Sequence, residues 1–310
     1  MNGTHASSAS TSAPRLQRLT VVAGEPEEAV IGVPQAETQR LVDSHFERAS
    51  AFWTDVYEGD DVIALICQRR RDVALRWIEE LSLPAGGRVL EVGCGAGLMA
   101  AELAKRGFDV DATDTVADMI ELTRRHGVQA NVSARLRTSL SDVHALEFES
   151  ETFDSVVALG VIPWLHSPQT ALYELARMLK PGAHLIASAN NAARLAYLID
   201  PKYNRALSRV RKAVKPLVAR LGLRRVGSGA PSRSHSRREV AGLLSAANLE
   251  IVEDCTLGFG PFTLFGRGLL PTRLGRRLDH WLQACADRGL PGIRSLGAQY
   301  LVLARKPADG

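Results

Sequence analysis

The chain has 310 residues, with 38 Lys+Arg against 34 Asp+Glu, 45% hydrophobic and 23% charged residues. That length fits one large domain or two small ones, and the composition excludes a wholly disordered chain, a collagen-like fibre and a long coiled coil. No run approaches the roughly 20 apolar residues that a bilayer crossing needs.

In chain order, residues 1–35 are rich in Ser, Thr and Ala, lack the apolar core of a secretory signal, and are expected to form a disordered tail. From Glu37 to Leu81 the pattern is helical, with Phe46, Ala49, Phe52 and Trp53, then Val73, Ala74, Trp77 and Ile78, at helical spacing. Residues 84–87, Pro-Ala-Gly-Gly, break it. Strands are then predicted at Arg88–Val92, Phe108–Ala112, near Ala134–Thr138, at Phe153–Leu159 and at Ala183–Ala189. Helices at Leu98–Arg106, Thr115–His126 and Thr170–Leu179 alternate with them, the last ended by Lys180-Pro181-Gly182. Arg237–Ala247 reads as a helix, Leu249–Thr256 as a strand, 272–288 as a helix and Ala298–Arg305 as a final strand. Such alternation implies an α/β, doubly wound, mostly parallel sheet with right-handed crossovers. The unbroken apolar run of the fourth strand suits a sheet covered on both faces. Residues 192–235 and 257–297 depart from the alternation. Cys67, Cys94, Cys255 and Cys285 have no metal-ligand spacing, which points to a reduced, cytoplasmic setting.

The first strand runs into Glu91-Val92-Gly93-Cys94-Gly95-Ala96-Gly97-Leu98. Glycines there allow a tight turn and close backbone approach to a ligand at a helix start. Asp114 closes the second strand, where a carboxylate can accept hydrogen bonds from a ribose diol. A dinucleotide fingerprint would place its third glycine at position 98, which is leucine. That departure weighs against a nicotinamide-dependent dehydrogenase. Glu91, two residues before the first glycine, is placed to meet a cationic ligand group.

The segment VLEVGCGAG resembles the first motif of class I S-adenosylmethionine-dependent methyltransferases, and the resemblance runs in order through TDTVADMIELTRR, SDVHALEFESETFDSVV and LGVIPWLHSPQTALYELARMLKPGAHLIAS, about residues 86–190. It is nearest to the subgroup that methylates quinones and other small molecules. The resemblance implies a seven-stranded Rossmann-like sheet over 85–191 and 236–310, an N-terminal helical lid over 36–84, and a helical insertion, or acceptor cap, over 192–235. It implies S-adenosylmethionine as cofactor. Gly93, Gly95 and Gly97 would lie under its methionine part, and Glu91 would anchor the loop or the ammonium. Asp114 would bind the ribose, with Thr115 and Met119 beside the adenine. Asp142 would take the adenine amino group with Val143 packed nearby, and Leu159 and Gly160 would flank the methionine end.

Methyl transfer from a sulfonium asks chiefly for alignment and exclusion of water, with a base where the acceptor is a weakly acidic hydroxyl. His166 in VIPWLHSP is the first candidate base and His45 the second; each reads equally as a structural histidine. Trp53, Tyr57, Trp164 and Phe262 are candidate acceptor contacts, or ordinary core aromatics. The segment Leu159-Gly160-Val161-Ile162-Pro163-Trp164 lacks both the Asp/Asn-Pro-Pro-aromatic motif of base-directed enzymes and a carboxylate for metal, so neither nucleic acid nor a metal is expected. The acceptor is expected to be a quinone, polyketide, lipid or glycolipid, methylated at oxygen. Methylation at carbon, or a non-catalytic cofactor-binding regulator, stays open. Residues 194–238 carry 13 Lys/Arg and a single acid, Asp200. Within them, 205–221 reads as a basic amphipathic helix, interrupted at Pro216, that could meet an anionic membrane or pack on the sheet domain.

Overall fold

In the computed structural model, which describes residues 35–50, 53, 56, 59–207, 213, 230 and 232–308, the predicted alternation becomes one central sheet. Helices α1 (Gln35–Arg48) and α2 (Val62–Glu80) precede it. Then come β1 (Arg88–Val92), α3 (Leu98–Lys105), β2 (Asp109–Asp114), α4 (Ala117–Gln129), β3 (Leu136–Leu140), β4 (Phe153–Ala158), α5 (Pro168–Met178) and β5 (Leu179–Asn191). The rest comprises α6 (Leu195–Ile199), β6 (Ser234–His235), α7 (Arg237–Ala246), β7 (Glu250–Leu257), β8 (Thr263–Leu264), β9 (Arg267–Gly268), α8 (Thr272–Asp287) and β10 (Gln299–Arg305).

The strand order is β3-β2-β1-β4-β5-β10-β7, with the two-residue β6 added beside β5. The first five strands are parallel, and β10 runs antiparallel between β5 and β7. The seven expected long strands are therefore present in a mostly parallel sheet, and β6 is an addition. The chain moves outward from β1 to β3 and then returns to β4. The carboxyl ends of β1 and β4 thus flank the point where strand order reverses, which is where open α/β sheets hold ligands.

The sheet's two faces carry separate cores. One packs Phe153, Leu172, Leu175 and Leu244 from α5, α7 and the strands; the other packs Trp77, Ile78, Leu103 and Val110 from α2, α3 and β2. Burial on both faces is why β1 and β4 read as continuous apolar runs. A smaller core joins Phe259, Phe262 and Leu282.

Two local expectations are refined, and a third falls largely outside the described residues. Within the helical pattern of 37–81, α1 ends at Arg48 and α2 starts after Asp61, whose side chain caps it by accepting from the Ala64 amide at 2.9 Å. Lys180-Pro181-Gly182 is not a turn before the strand but lies within β5. The β4–β5 register shifts there, Phe153 facing Leu179 and Ser155 facing His184, and Gly182 supplies a φ of +79°. Of the insertion 192–235, the described parts are α6, a turn at Arg205–Leu207 and β6; most of the expected helix 205–221, and the expected tail 1–34, lie outside the described residues.

Helix α8 is locked to the loop after β7 by Asp279, which is 0% exposed. Its Oδ1 accepts the amides of Phe259 (2.7 Å) and Gly260 (3.2 Å), and its Oδ2 accepts Arg69 Nη1 of α2 (2.7 Å). Asp279→Ala should cost about 3–5 kcal/mol, because it strands one cation and two amides. Urea denaturation measures this, and a loss under 1 kcal/mol would mean that the network is re-satisfied by water.

Candidate functional site

Strand β1 delivers Glu91 and the glycine loop to the sheet's carboxyl edge. Gly93 has φ +65°, and a Cβ there would sit 2.6 Å from Val161 Cγ2, so the loop after β4 can close against β1 only because this residue has no side chain. Gly95 (φ +55°) has nothing within 4 Å of its missing Cβ, which leaves open space above the loop. Asp114, at the end of β2, fastens the loop. Its Oδ2 accepts the Gly95 amide (2.9 Å) and its Oδ1 the Val116 amide (3.0 Å).

These groups line one cleft of about 1210 Å³, open mouth included. Its walls include Glu91, Gly93, Gly95, Asp114, Thr115, Asp142, Val143, Leu159, Gly160, Trp53 and Trp164. Every one of these was named from sequence. Gly97 and Met119 are not among the walls. Gly97 starts α3 at φ +75°, and a Cβ there would strike Thr123 at 2.6 Å; Met119 is buried beneath the site. Tyr57 lies outside the described residues.

Three further candidates do not line the cleft. Phe262 is buried in the core with Phe259 and Leu282, away from the cleft walls. Neither candidate base lines the cleft. His45 is buried behind Trp164, its ring stacked at 5.2 Å. His166 stacks on His144 at 3.7 Å, and His144 in turn bonds through Nδ1 to Asp142 Oδ1 at 2.6 Å. His166 therefore belongs with Asp142 rather than with the glycine loop. Burial and the neighbouring His144 hold its imidazole below the usual range, against the pull of Asp142.

Residues that sequence reading missed come from four elements. Gln39, Val42 and Phe46 of α1 cover the cleft; Arg70 comes from α2; Asn190 and Gln299 come from β5 and β10. Gln299 Oε1 accepts Arg70 Nη1 at 3.2 Å, and an added Cβ at Gly160 would lie 2.8 Å from the same guanidinium nitrogen. Helix α1 is tied to the end of β2 by Asp43, whose Oδ1 accepts Thr115 Oγ1 and Gln39 Nε2, both at 2.8 Å. Phe46 and Trp164 add an edge-to-face contact at 5.1 Å. The amphipathic pattern of α1 announced a helix, but not which β-strand end it would cover.

Electrostatically the site is an acidic cleft. Glu91 is 4% exposed, and its Oε2 has no hydrogen-bond partner among the described residues. Burial, and then the charge of Asp114, push its carboxyl up to about 8. Burial also raises Asp114, against the amides of Gly95 and Val116, and Asp43 adds to the rise. His144 holds Asp142 below the usual range. A buried carboxylate with one unbonded oxygen, beside open glycine backbone, fits the ammonium of an amino-acid moiety. Asp114 and Asp142 fit hydroxyl and amine donors. The residues present therefore fit S-adenosylmethionine. Asp142, His144 and His166 are the group of three potential metal ligands among the described residues. Their imidazoles lie within 15° of parallel, so the in-plane lone pairs run side by side rather than converging on one ion.

Comparison with known proteins agrees with this geometry. Residues 90–187 match the family model described as a methyltransferase domain. The ubiquinone biosynthesis O-methyltransferase of Xanthomonas oryzae pv. oryzae (strain PXO99A) is 32% identical over 115 residues, covering 37% of this chain and 48% of that protein. The enzyme of the same name from Alkalilimnicola ehrlichii is 28% identical over 169 residues, covering 52% and 65%. The chain thus spans about half to two-thirds of the length of these relatives. Magnesium protoporphyrin IX methyltransferase from Synechocystis PCC 6803, solved with bound SAH, superposes with a TM-score of 0.56 at 14% identity, covering 87% of this chain and 99% of that one. The resemblance to class I S-adenosylmethionine-dependent methyltransferases is borne out for this segment and fold, and S-adenosylmethionine is the cofactor of that class.

The raised Glu91 makes a stability prediction. Its neutral form is favoured in the fold, so the stability it contributes is full below about pH 4.5 and is lost as pH rises toward about 8. The ligand-free protein should therefore lose Tm across that window more steeply than Glu91→Gln. Parallel Tm–pH curves for the two proteins would show that Glu91 titrates normally.

Proposed function

We propose that this protein transfers the methyl group of S-adenosylmethionine to an oxygen of a small apolar or amphiphilic acceptor, without a metal. The observation that carries the reading is the convergence of Glu91, the Gly93–Gly95 loop, Asp114 and Asp142 on one cleft at the sheet's switch point. The matched methyltransferase domain, residues 90–187, supports the activity, and the printed name of the curated relatives supports oxygen as the acceptor atom.

Bound S-adenosylmethionine supplies a methyl already activated by its sulfonium. The chain's work is to hold, orient and enclose. Glu91 would hold the ammonium, and ionise as it does so. Asp114 would take the ribose hydroxyls on the lone pairs that its two amide bonds leave. Asp142, which spends Oδ1 on His144, would take the adenine amino group, with Val143 and Thr115 beside the ring. Leu159 and Gly160 would flank the methionine end. Residues 36–84 would act as the lid, with Phe46, Trp53 and Trp164 excluding water from the acceptor, so that alignment supplies most of the rate. His45 would position Trp164, and His166 would brace His144 against Asp142.

Incubating the protein with methyl-labelled S-adenosylmethionine and cell extract, followed by mass spectrometry, should reveal one labelled small molecule. Binding of the donor without any transfer would instead indicate a regulator, and absence of donor binding would overturn the cofactor assignment. Asp114→Ala should weaken donor affinity by about 1.5–3 kcal/mol in calorimetry, the worth of charge-assisted hydrogen bonds; unchanged affinity would refute the ribose role. His166→Ala should raise the KM for the donor more than it lowers kcat. A kcat loss of roughly 10²–10⁴ would restore it as the base.

A further inference from the structure

Helix α6, the β8–β9 hairpin and the start of α8 meet on one side of the protein. Asp200, at the end of α6, accepts the Thr263 hydroxyl (2.6 Å) and the Gly266 amide (2.9 Å) and so fixes the hairpin to α6. The hairpin runs on through Leu269, whose amide bonds Phe262, to Leu270, which packs at Gly275 of α8. This joined surface exposes large apolar side chains. Phe265 at the hairpin tip is 67% exposed and Trp281 on α8 is 60% exposed, and Leu198, Leu269, Leu270 and Leu274 are exposed with them. Leu274 and Trp281 are seven residues apart, within about 20° around the helix, so they form one stripe. An exposed apolar patch on this scale marks a contact surface.

Charge says what kind of contact. Both acids within 194–207 and 263–281, Asp200 and Asp279, are buried and bonded inward. Lys202, Arg267, Arg273 and Arg277 are exposed on the same segments; Arg276, paired with Asp60, lies at the border. Apolar side chains set among outward cations suit an interface with an apolar interior and anionic headgroups.

We propose that this surface docks on an anionic lipid bilayer, with Phe265 and Trp281 entering the headgroup–acyl boundary and the arginines meeting lipid phosphates. It lies on different residues from the basic segment 205–221, and its recognition does not depend on the reaction.

The test uses the full chain and phosphatidylcholine vesicles holding about one-third phosphatidylglycerol. The protein should co-sediment with them in a salt-sensitive manner. Brominated acyl chains should quench its tryptophan emission, and Trp281→Phe should remove most of the quenching. The double variant Phe265→Asn/Trp281→Ser keeps a residue tolerant of the left-handed tip. It should lower the vesicle partition coefficient at least about tenfold, with donor affinity and circular dichroism unchanged as the folding control. Three results would overturn the proposal. One is no sedimentation. Another is sedimentation of the double variant equal to that of the parent, which would assign the contact to another segment such as 205–221. The third is a dimer, seen by sedimentation velocity, that the double variant dissociates while vesicles go unbound.

Discussion

One carboxylate organises this molecule. Asp114 is half-buried at the end of β2, and its two oxygens are bonded to the amides of Gly95 and Val116. A single side chain thereby fixes the glycine loop of β1 to the start of α4, across the parallel pair β1–β2. The next residue, Thr115, bonds Asp43 and holds helix α1 over the same spot. Backbone amides at two helix approaches are satisfied by the group that faces the cleft, so local folding and ligand binding share the same hydrogen bonds. The compromise is electrostatic. Burial and the charge of Asp114 push Glu91 toward the neutral form, and burial with the charge of Asp43 does the same to Asp114. A cationic ligand group would relieve this arrangement.

Much of the fold was legible because its signals are local. Strands buried on both faces read as apolar runs, glycine marks the loop that a Cβ would block, and Asp114 sits where the second strand ends. The cleft walls contributed by those strand ends were named for the same reason. What failed was long-range or hidden in register. Phe262 reads as a possible pocket residue from its Gly/Phe-rich setting, but Asp279 draws that loop into a separate core. Lys180-Pro181-Gly182 reads as a turn, but a bulge absorbs it into β5. Arg70, Asn190 and Gln299 carry no motif. They meet only because β10 lies beside β5 and α2 crosses their end.

His166 shows how sequence proximity misleads. It follows the loop after β4 that borders the glycine turn, so a place near the methionine end seemed natural. The short helical turn at Ile162–Trp164 instead sends Trp164 to the cleft and His166 toward Asp142. His166 stacks on His144, and His144 bonds Asp142, so His166 reaches the cleft only through these two residues.

The antiparallel placement of β10 has a consequence for how the protein is made. This strand, from residues 299–305, fills the gap between β5 and β7 and bonds to both. While the chain emerges from the ribosome, the edge of β5 and the whole of β7 must wait, unpaired, for residues synthesised more than forty positions after β7 begins. Exposed strand edges in that interval are where misassembly starts. The same strand brings Gln299 to Arg70, so the cleft's deep polar end is assembled only when the sheet closes. A nascent chain therefore reaches its binding shape in one late step, and quality control that senses an unfilled sheet would sense an unfinished site as well.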